Sequence, residues 1–393
     1  MSPLVKKSRK GLPKRPILWK GPEEDGITQS MLSRWLCCRE RFRLKVIEGL
    51  QPTDTFNHRL EYGQMWHICE EVFATGKSGN LSTDWFHALF DYCQQLCRRY
   101  PLQQEQVVHW MNVCKVEFPI YVEYWRKHPD VKVRTPLLQE EVFDVPYLLP
   151  SGRTVKLRGK WDSVDLIGKG KSAGIYLQEN KTKGEIVEAQ LKRQLGFDLQ
   201  TMIYLIALEE SMKGVVEDKP FEIIDIINGG KLRITDGPPK IQGIRYNVVR
   251  RPLSGGKGSI KQKKGSKNIP PETKEEFYER LRVIIQEEAD AAVKERRDCD
   301  FFMRWKVEVS QTDIERFKHD FLDNALEELC DWYHWVTSPE GLQDPFGDKV
   351  HFRLPYGVYN VIAEGGSSDV DEYLATESEL GLTRDGQLFG ELI

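Results

Sequence analysis

The stretch from Leu137 to Lys183 constrains this chain most. It reads LLQEEVFDVPYLLPSGRTVKLRGKWDSVDLI, then GKGKSAG, then IYLQENKTK. Short apolar runs are punctuated by Leu149–Pro150–Ser151–Gly152 and by the Gly/Lys-rich segment 168–174, both of which are turn chemistry. Strands joined by turns this short pair as hairpins. On either side the pattern has a helical period. Thr28–Arg43 predicts a helix capped by Thr28 or Ser30, with Met31, Leu32, Trp35 and Leu36 on its apolar face. Segments 59–75 and 84–129 extend this helical, aromatic-rich front. Beyond the hairpin, 186–213 reads as one long amphipathic helix. Strands follow in FEIIDIING, KLRIT and IQGIRYNVVR. A charged helix is predicted over Pro271–Arg297, and another within Val307–Thr337, starting near Ser310 or Thr312. Strands alternating with helices over 137–250, behind a helical N-terminal region, are compatible with an α/β fold.

The hairpin also concentrates chemistry. Asp162 stands in GKWDSVD, and Glu179 and Lys181 stand in QENKTKG. Strand side chains alternate, so Glu179 and Lys181 share a face, and hairpin pairing returns them beside Asp162. Asp165, three residues on from Asp162, falls on the other face and is expected to be structural. Two carboxylates around one point suit Mg²⁺ or Mn²⁺, hard cations held by oxygen ligands. Such a metal activates water and offsets charge on a phosphoryl oxygen, and Lys181 can orient the water or stabilise the same charge. That is the chemistry of phosphodiester hydrolysis. The same residue types are also common, and solvated, at strand ends. Further along, Gln200 and Tyr204 in QTMIY are four apart on one helical face, beside an apolar stripe that includes Phe197. Upstream, Gly63 and His67 in GQMWH have the same spacing; a lone histidine there usually is a satisfied core or surface residue.

The order GQMWH, GKWD, ENKTKG, QTMIY resembles the RecB-like branch of the PD-(D/E)XK nuclease superfamily, which includes stand-alone exonucleases of phage, viral or prokaryotic type. The entry segment TQSMLSRWLCCRERF resembles the opening helix of such domains, and the likeness spans roughly residues 27–210. It implies an α/β restriction-endonuclease-like core, a central mixed sheet flanked by helices, with the active site at one end of the sheet. It further implies His67, Asp162 and Glu179 as metal ligands, the Asn180 backbone carbonyl as a further ligand, and Lys181 as the catalytic lysine. Gln200 and Tyr204 would position DNA.

Net charge bears on the partner. At −3 over 393 residues, the whole molecule does not attract nucleic acid, so local patches must. The patch is Arg250, Arg251, Lys257, Lys261, Lys263, Lys264 and Lys267, spread through glycines and suited to sequence-independent phosphate contacts; a solvated, disordered loop is the alternative. Trp19, Trp35, Trp66, Trp85, Trp110 and Trp125 read first as core, with stacking on single-stranded bases as the alternative.

Several classes are excluded. GKGKS at 168–172 lacks the glycine a phosphate-binding loop needs, since Asp165 stands there, so no ATP is expected and any helicase would be a separate protein. Many nucleases of the RecB-like branch carry an iron–sulfur cluster on a cysteine before the domain and three after it. Here only Cys299 and Cys330 lie in the back third, so no cluster is expected. The eight cysteines include no CxxC pair, and with no export signal and no run of ~18 apolar residues the expectation is a cytoplasmic protein with reduced thiols and no membrane partner.

The expected division is a basic flexible tail over 1–26, a nuclease domain over 27–250 with a helical insertion at about 84–129, a basic flexible loop at 251–270, and a helical extension over 271–393 that completes the domain. The expected function is a metal-dependent DNA nuclease, an exonuclease on single- or double-stranded DNA in recombination, repair or replication, working with a separate helicase or recombination protein. A catalytically inactive DNA-binding or scaffold protein on the same fold, and an RNA-processing nuclease, are the competing readings.

Overall fold

The computed structural model describes residues 17–52, 55–75, 84–127, 134–168, 173–196, 198–213, 221–225, 230–234, 240–254, 258–267, 269–339, 382–384, 388–389 and 392. Its front half contains β1 (Ile27–Thr28), α1 (Gln29–Cys37), α2 (Arg39–Phe42), β2 (Leu50–Pro52), α3 (His58–Thr75), α4 (Asp84–Arg99), α5 (Gln104–Arg126), β3 (Arg134–Leu148) and β4 (Thr154–Ile167). β5 (Gly174–Lys183), α6 (Glu188–Leu195), α7 (Leu199–Lys213), β6 (Phe221–Asp225), β7 (Gly230–Ile234) and β8 (Ile241–Arg250) follow. The chain continues through α8 (Lys274–Glu295), β9 (Phe302–Glu308), α9 (Gln311–Phe317), α10 (Asp323–Thr337) and β10 (Leu382–Arg384).

Six strands form a mixed sheet in the order β1-β4-β5-β8-β9, with β3 also paired to β4. β4 and β5 are antiparallel, as the hairpin pattern requires, with Ser163 opposite Gln178. β8 then runs parallel to β5, placing Asn180 opposite Asn247 and Lys183 opposite Arg250, and β9 closes that side antiparallel to β8. A parallel pair needs a crossover, here supplied by the helical stretch between β5 and β8. Central strands covered on both faces normally read as continuous apolar runs. β5 departs from this: Gln178, Glu179 and Asn180 are buried although polar. That departure marks where the sheet does something besides pack.

The chain forms two compact units that are not successive along the sequence. One comprises 1–54, 144–159 and 316–393; the other comprises 55–143 and 160–315. In the first, Trp19 packs edge-on to Phe42 and Tyr333 at 5.1 Å, and Arg153 pairs with Asp331 on α10 at 2.7 Å. Residues 17–26, read from sequence as part of the tail, are therefore packed, with Trp19 fully buried; residues 1–16 lie outside the described residues. In the second unit α3, α4, α5 and α8 share one aromatic core containing Trp66, Trp85, Trp110, Phe118, Tyr121 and Trp125. Trp35, of the first unit, is likewise buried. The six tryptophans are core residues, and the stacking alternative falls away.

One helix boundary differs from the sequence reading. The stretch 186–213 is broken into α6 and α7 at Gly196, which ends α6, and Asp198, whose Oδ1 accepts from the Gln200 amide at 2.7 Å and starts α7. Phe197 lies outside the described residues. The helix expected within Val307–Thr337 starts where it was expected, after Ser310, whose amide and hydroxyl bond Asp313 at 3.0 and 2.6 Å. Within 251–270, expected to be flexible, Lys263 N–H donates to Glu272 at 2.8 Å and Arg280 donates to the Lys261 carbonyl at 2.9 Å. The α8 helix meanwhile begins with a complete capping box, Thr273 with Glu276.

Among the described residues none of the eight cysteines forms a disulfide, although the Cys69 and Cys114 sulfurs lie 3.9 Å apart. No helix of the described residues is long and apolar enough to cross a membrane.

Candidate active site

Every side chain of the site belongs to the unit of residues 55–143 and 160–315. The register of β4 on β5 brings Asp162, one residue beyond the Ser163–Gln178 pair, against the polar end of β5. The Asn180 amide donates to Asp162 Oδ2 at 2.7 Å, which fixes that carboxylate. Glu179 and Lys181 project from the same face of β5. Lys181 Nζ donates to Glu179 Oε1 at 2.5 Å and to Gln200 Oε1 at 2.7 Å. The Asn180 side chain takes the opposite face, where its Oδ1 accepts from Gln178 at 3.3 Å and Asn247 at 2.8 Å.

His67 arrives from the middle of α3. Gly63, one turn earlier, faces β5: a Cβ there would lie 3.5 Å from Thr182 Oγ1, an ordinary contact distance. His67 Nδ1 is 2.9 Å from Glu140 Oε1 and 3.7 Å from Asp162 Oδ1. Glu140 is the residue the sequence reading missed. It stands in β3 with φ +48°, in the left-handed region that only glycine adopts without cost. There the buried–exposed alternation of β3 breaks: Gln139 and Phe143 are buried while Glu141 and Val142 face out. The bulge turns the Glu140 carboxylate inward, where Lys160 Nζ also meets it at 3.0 Å. Nothing local in EE at 140–141 distinguishes the inward carboxylate from its neighbour. Lys160, which neutralises Glu140, and Asp198, which caps α7 near Lys181, were missed as well.

The remaining sequence candidates are placed as follows. Gln200 is in the site through Lys181. Tyr204, one turn further along α7, is buried, packing edge-on to Phe143 at 5.3 Å. Asp165 is fully buried on the other face with Arg134 and Arg245, each at 2.7 Å. Arg251 lies at the end of β5, donating to the Thr182 carbonyl at 2.8 Å. Arg250 stacks over Phe301 at 5.1 Å. Lys261, Lys263, Lys264 and Lys267 are exposed, and Lys257 lies outside the described residues.

The electrostatics show strongly coupled charges. Burial opposes charge on His67, but Asp162, Glu140 and Glu179 outweigh it and hold the imidazolium up to about 9. Burial and the nearby Asp162 push Glu179 up to about 8, against the pull of Lys181. Burial raises Asp162 too, with Glu140 adding to it and His67 and Lys181 opposing. Crowded acids of this kind are the signature of a site built for a cation.

A metal fits this donor set. His67, Glu140 and Asp162 each offer a ligand atom, all within 4.8 Å of one another. Beside them Glu179 Oε2 is buried without a hydrogen-bond partner, an anionic oxygen in want of a positive ligand. Carboxylates with one imidazole suit Mg²⁺ or Mn²⁺ more than a thiophilic ion.

A family model described as the PD-(D/E)XK nuclease superfamily matches residues 27–303, well over half of the chain, and the chain belongs to that superfamily. The matched span contains every residue named in the site. Nucleases of this superfamily are typically hydrolases that use divalent metals, and their substrates are nucleic acids. No curated protein matches the chain.

Proposed function

We propose that this chain is a metal-dependent deoxyribonuclease of the RecB-like branch, acting as an exonuclease in recombination, repair or replication. The observation that carries the reading is the convergence of His67, Glu140 and Asp162 within 4.8 Å, next to the Glu179–Lys181–Gln200 chain of hydrogen bonds. The four motifs GQMWH, GKWD, ENKTKG and QTMIY support the branch, and through it DNA as substrate and attack at ends. His67, Glu140, Asp162 and Glu179 would hold Mg²⁺ or Mn²⁺, with the Asn180 carbonyl as a further ligand.

A divalent metal, when bound, supplies Lewis acidity that activates water and offsets phosphoryl charge. The chain does the rest. Lys181 is a fixed ammonium, because two acceptors hold it. Water adds to phosphorus and the bond to the leaving oxygen breaks, and negative charge builds on the phosphoryl oxygens; a preoriented cation stabilises that charge without reorganising. Gln200 keeps Lys181 in place, and Tyr204, packed behind it, sets the position of α7. Asp162 is oriented by the Asn180 amide, so its geometry does not depend on the substrate. A helicase or recombination protein that opens the duplex would be a separate partner.

Cleavage of 5′- and 3′-labelled single- and double-stranded DNA, and of RNA, with Mg²⁺, Mn²⁺ or EDTA tests the reading. Lys181→Ala and Asp162→Ala are each expected to lose metal-dependent cleavage by ~100-fold or more, and the label pattern gives the polarity. DNA binding without cleavage under any metal would make the chain a binding protein on a nuclease fold. Cleavage of RNA alone would reassign the substrate.

A further inference from the structure

A group of cations adjoins the Lys181 end of β5. Strand alternation carries Lys183 to the same face as Lys181, about 6.6 Å further along, the scale of the step between successive phosphates of a nucleic-acid backbone. The chain leaving β8 folds over this end: the Arg251 amide donates to the Lys183 carbonyl at 2.7 Å. The Arg251 guanidinium is fixed by the Thr182 carbonyl at 2.8 Å, Thr182 Oγ1 at 3.2 Å and Ser254 Oγ at 3.0 Å. α3, packed on Thr182 through Gly63, begins with His58 and Arg59. The His58 ring is stacked on Trp110 at 4.9 Å and an interplanar angle of 12°.

Arg251 is only 8% exposed, yet among the described residues no carboxylate lies within ion-pair distance of Arg251, Arg59 or Lys183. Their charged neighbours are mostly one another. Burial and the nearness of Arg59 depress Arg251; burial, Lys181 and Arg251 depress Lys183, with Asp198 opposing; burial, Arg251 and Arg59 depress His58. Elsewhere in this unit a buried arginine is neutralised: Arg245 has Asp165 at 2.7 Å. A buried, hydrogen-bonded guanidinium without a counter-charge is costly, and its Nη2, which makes none of these bonds, is left to donate a charge-assisted bond to a phosphate oxygen.

We propose that Arg251, Lys183 and Arg59 form a phosphate cradle that takes the backbone phosphate next to the one cut, carrying the strand from β5 toward the start of α3. This rests on the nuclease reading. The cradle holds backbone rather than base edges, so it positions the strand without reading its sequence.

The test uses the full chain, fluorescein-labelled oligothymidylate and a salt series. Binding is read by anisotropy with EDTA present, and cleavage separately with Mn²⁺. Arg59→Gln and Lys183→Gln keep the hydrogen bonds that fix Arg251. Each is expected to weaken binding several-fold and to reduce the slope of log affinity on log salt by about one, the double variant by about two, with the cleavage defect falling on KM far more than on kcat. Lys294→Gln, which removes an exposed charge from the end of α8, is expected to leave affinity and slope at the wild-type value. A double variant with wild-type affinity and slope overturns the cradle. So does an equal loss in Lys294→Gln, which would make the effect one of bulk charge. A wild-type protein that binds but never cuts overturns the nuclease reading instead, and the cradle is then judged on the salt slope.

Discussion

His67 on α3 and Glu140 on β3, 73 residues apart, meet at 2.9 Å. Their contact ties the helical layer to the sheet at the point where Asp162 emerges, and it makes Glu140 the fourth acidic or imidazole group of the site. The left-handed backbone at Glu140 costs about 1–2 kcal/mol in a non-glycine residue. That cost is offset by the two ion pairs its carboxylate makes.

Glu140→Gln keeps the size of the side chain and removes its charge. Mn²⁺ affinity, measured by calorimetry on the apoprotein, is expected to fall by at least ~10- to 100-fold. The metal-induced rise in thermal stability, worth ~2.7 kcal/mol at a hundredfold excess over Kd, is expected to shrink with it. Unchanged affinity would remove Glu140 from the ligand set.

Gln200→Ala deletes one of the two acceptors that hold Lys181 Nζ. The expected result is a kcat lower by about ten- to a hundredfold with a smaller change in KM, because a loosely held ammonium stabilises the transition state less than a fixed one. A defect confined to KM would mean that Gln200 serves binding only.

Asp165 is fully buried between Arg134 and Arg245. Burial alone would raise its carboxyl, but the two guanidinium groups hold it below the usual range. Asp165→Asn removes the carboxylate charge that both guanidinium groups bond. Urea denaturation is expected to show a loss of ~3–5 kcal/mol. A loss under ~1 kcal/mol would show that the face relaxes around the change.

Glu117, buried in the helical core, accepts from Tyr62, and burial pushes its carboxyl from 4.5 up to about 8. Between those values the folded protein binds more protons than the unfolded chain, so this group makes stability fall as pH rises from about 4.5 to 8. Glu117→Gln still accepts from Tyr62. It is expected to flatten that slope and to raise stability at pH 8 by a few kcal/mol, since each tenfold difference in proton affinity between folded and unfolded chain is worth about 1.4 kcal/mol. Parallel pH profiles for variant and wild type would contradict this assignment.

Much of the fold could be read from local pattern. Turn residues at 149–152 and at Gly168, with strand-length runs between them, gave the β4–β5 hairpin. Alternation then put Glu179 and Lys181 on one face and Asp165 on the other, which the structure reproduces. The reading was weaker wherever a single residue interrupts a period. Asp198 caps a new helix in what looks like one continuous amphipathic run. The tryptophans at 19, 35, 66, 85, 110 and 125 read first as core from their helical surroundings, and all six are buried.

Hairpins, helix faces and the Asp162/Glu179/Lys181 grouping follow from spacing along the chain, because turns and pleats act over a few residues. Glu140, the burial of Tyr204 and the charge cluster around Arg251 do not, because each depends on groups far apart in sequence being packed together. A bulge that rotates one carboxylate inward and a helix that lays His67 beside Asp162 change which atoms meet. They leave the periodicity of the surrounding residues almost untouched.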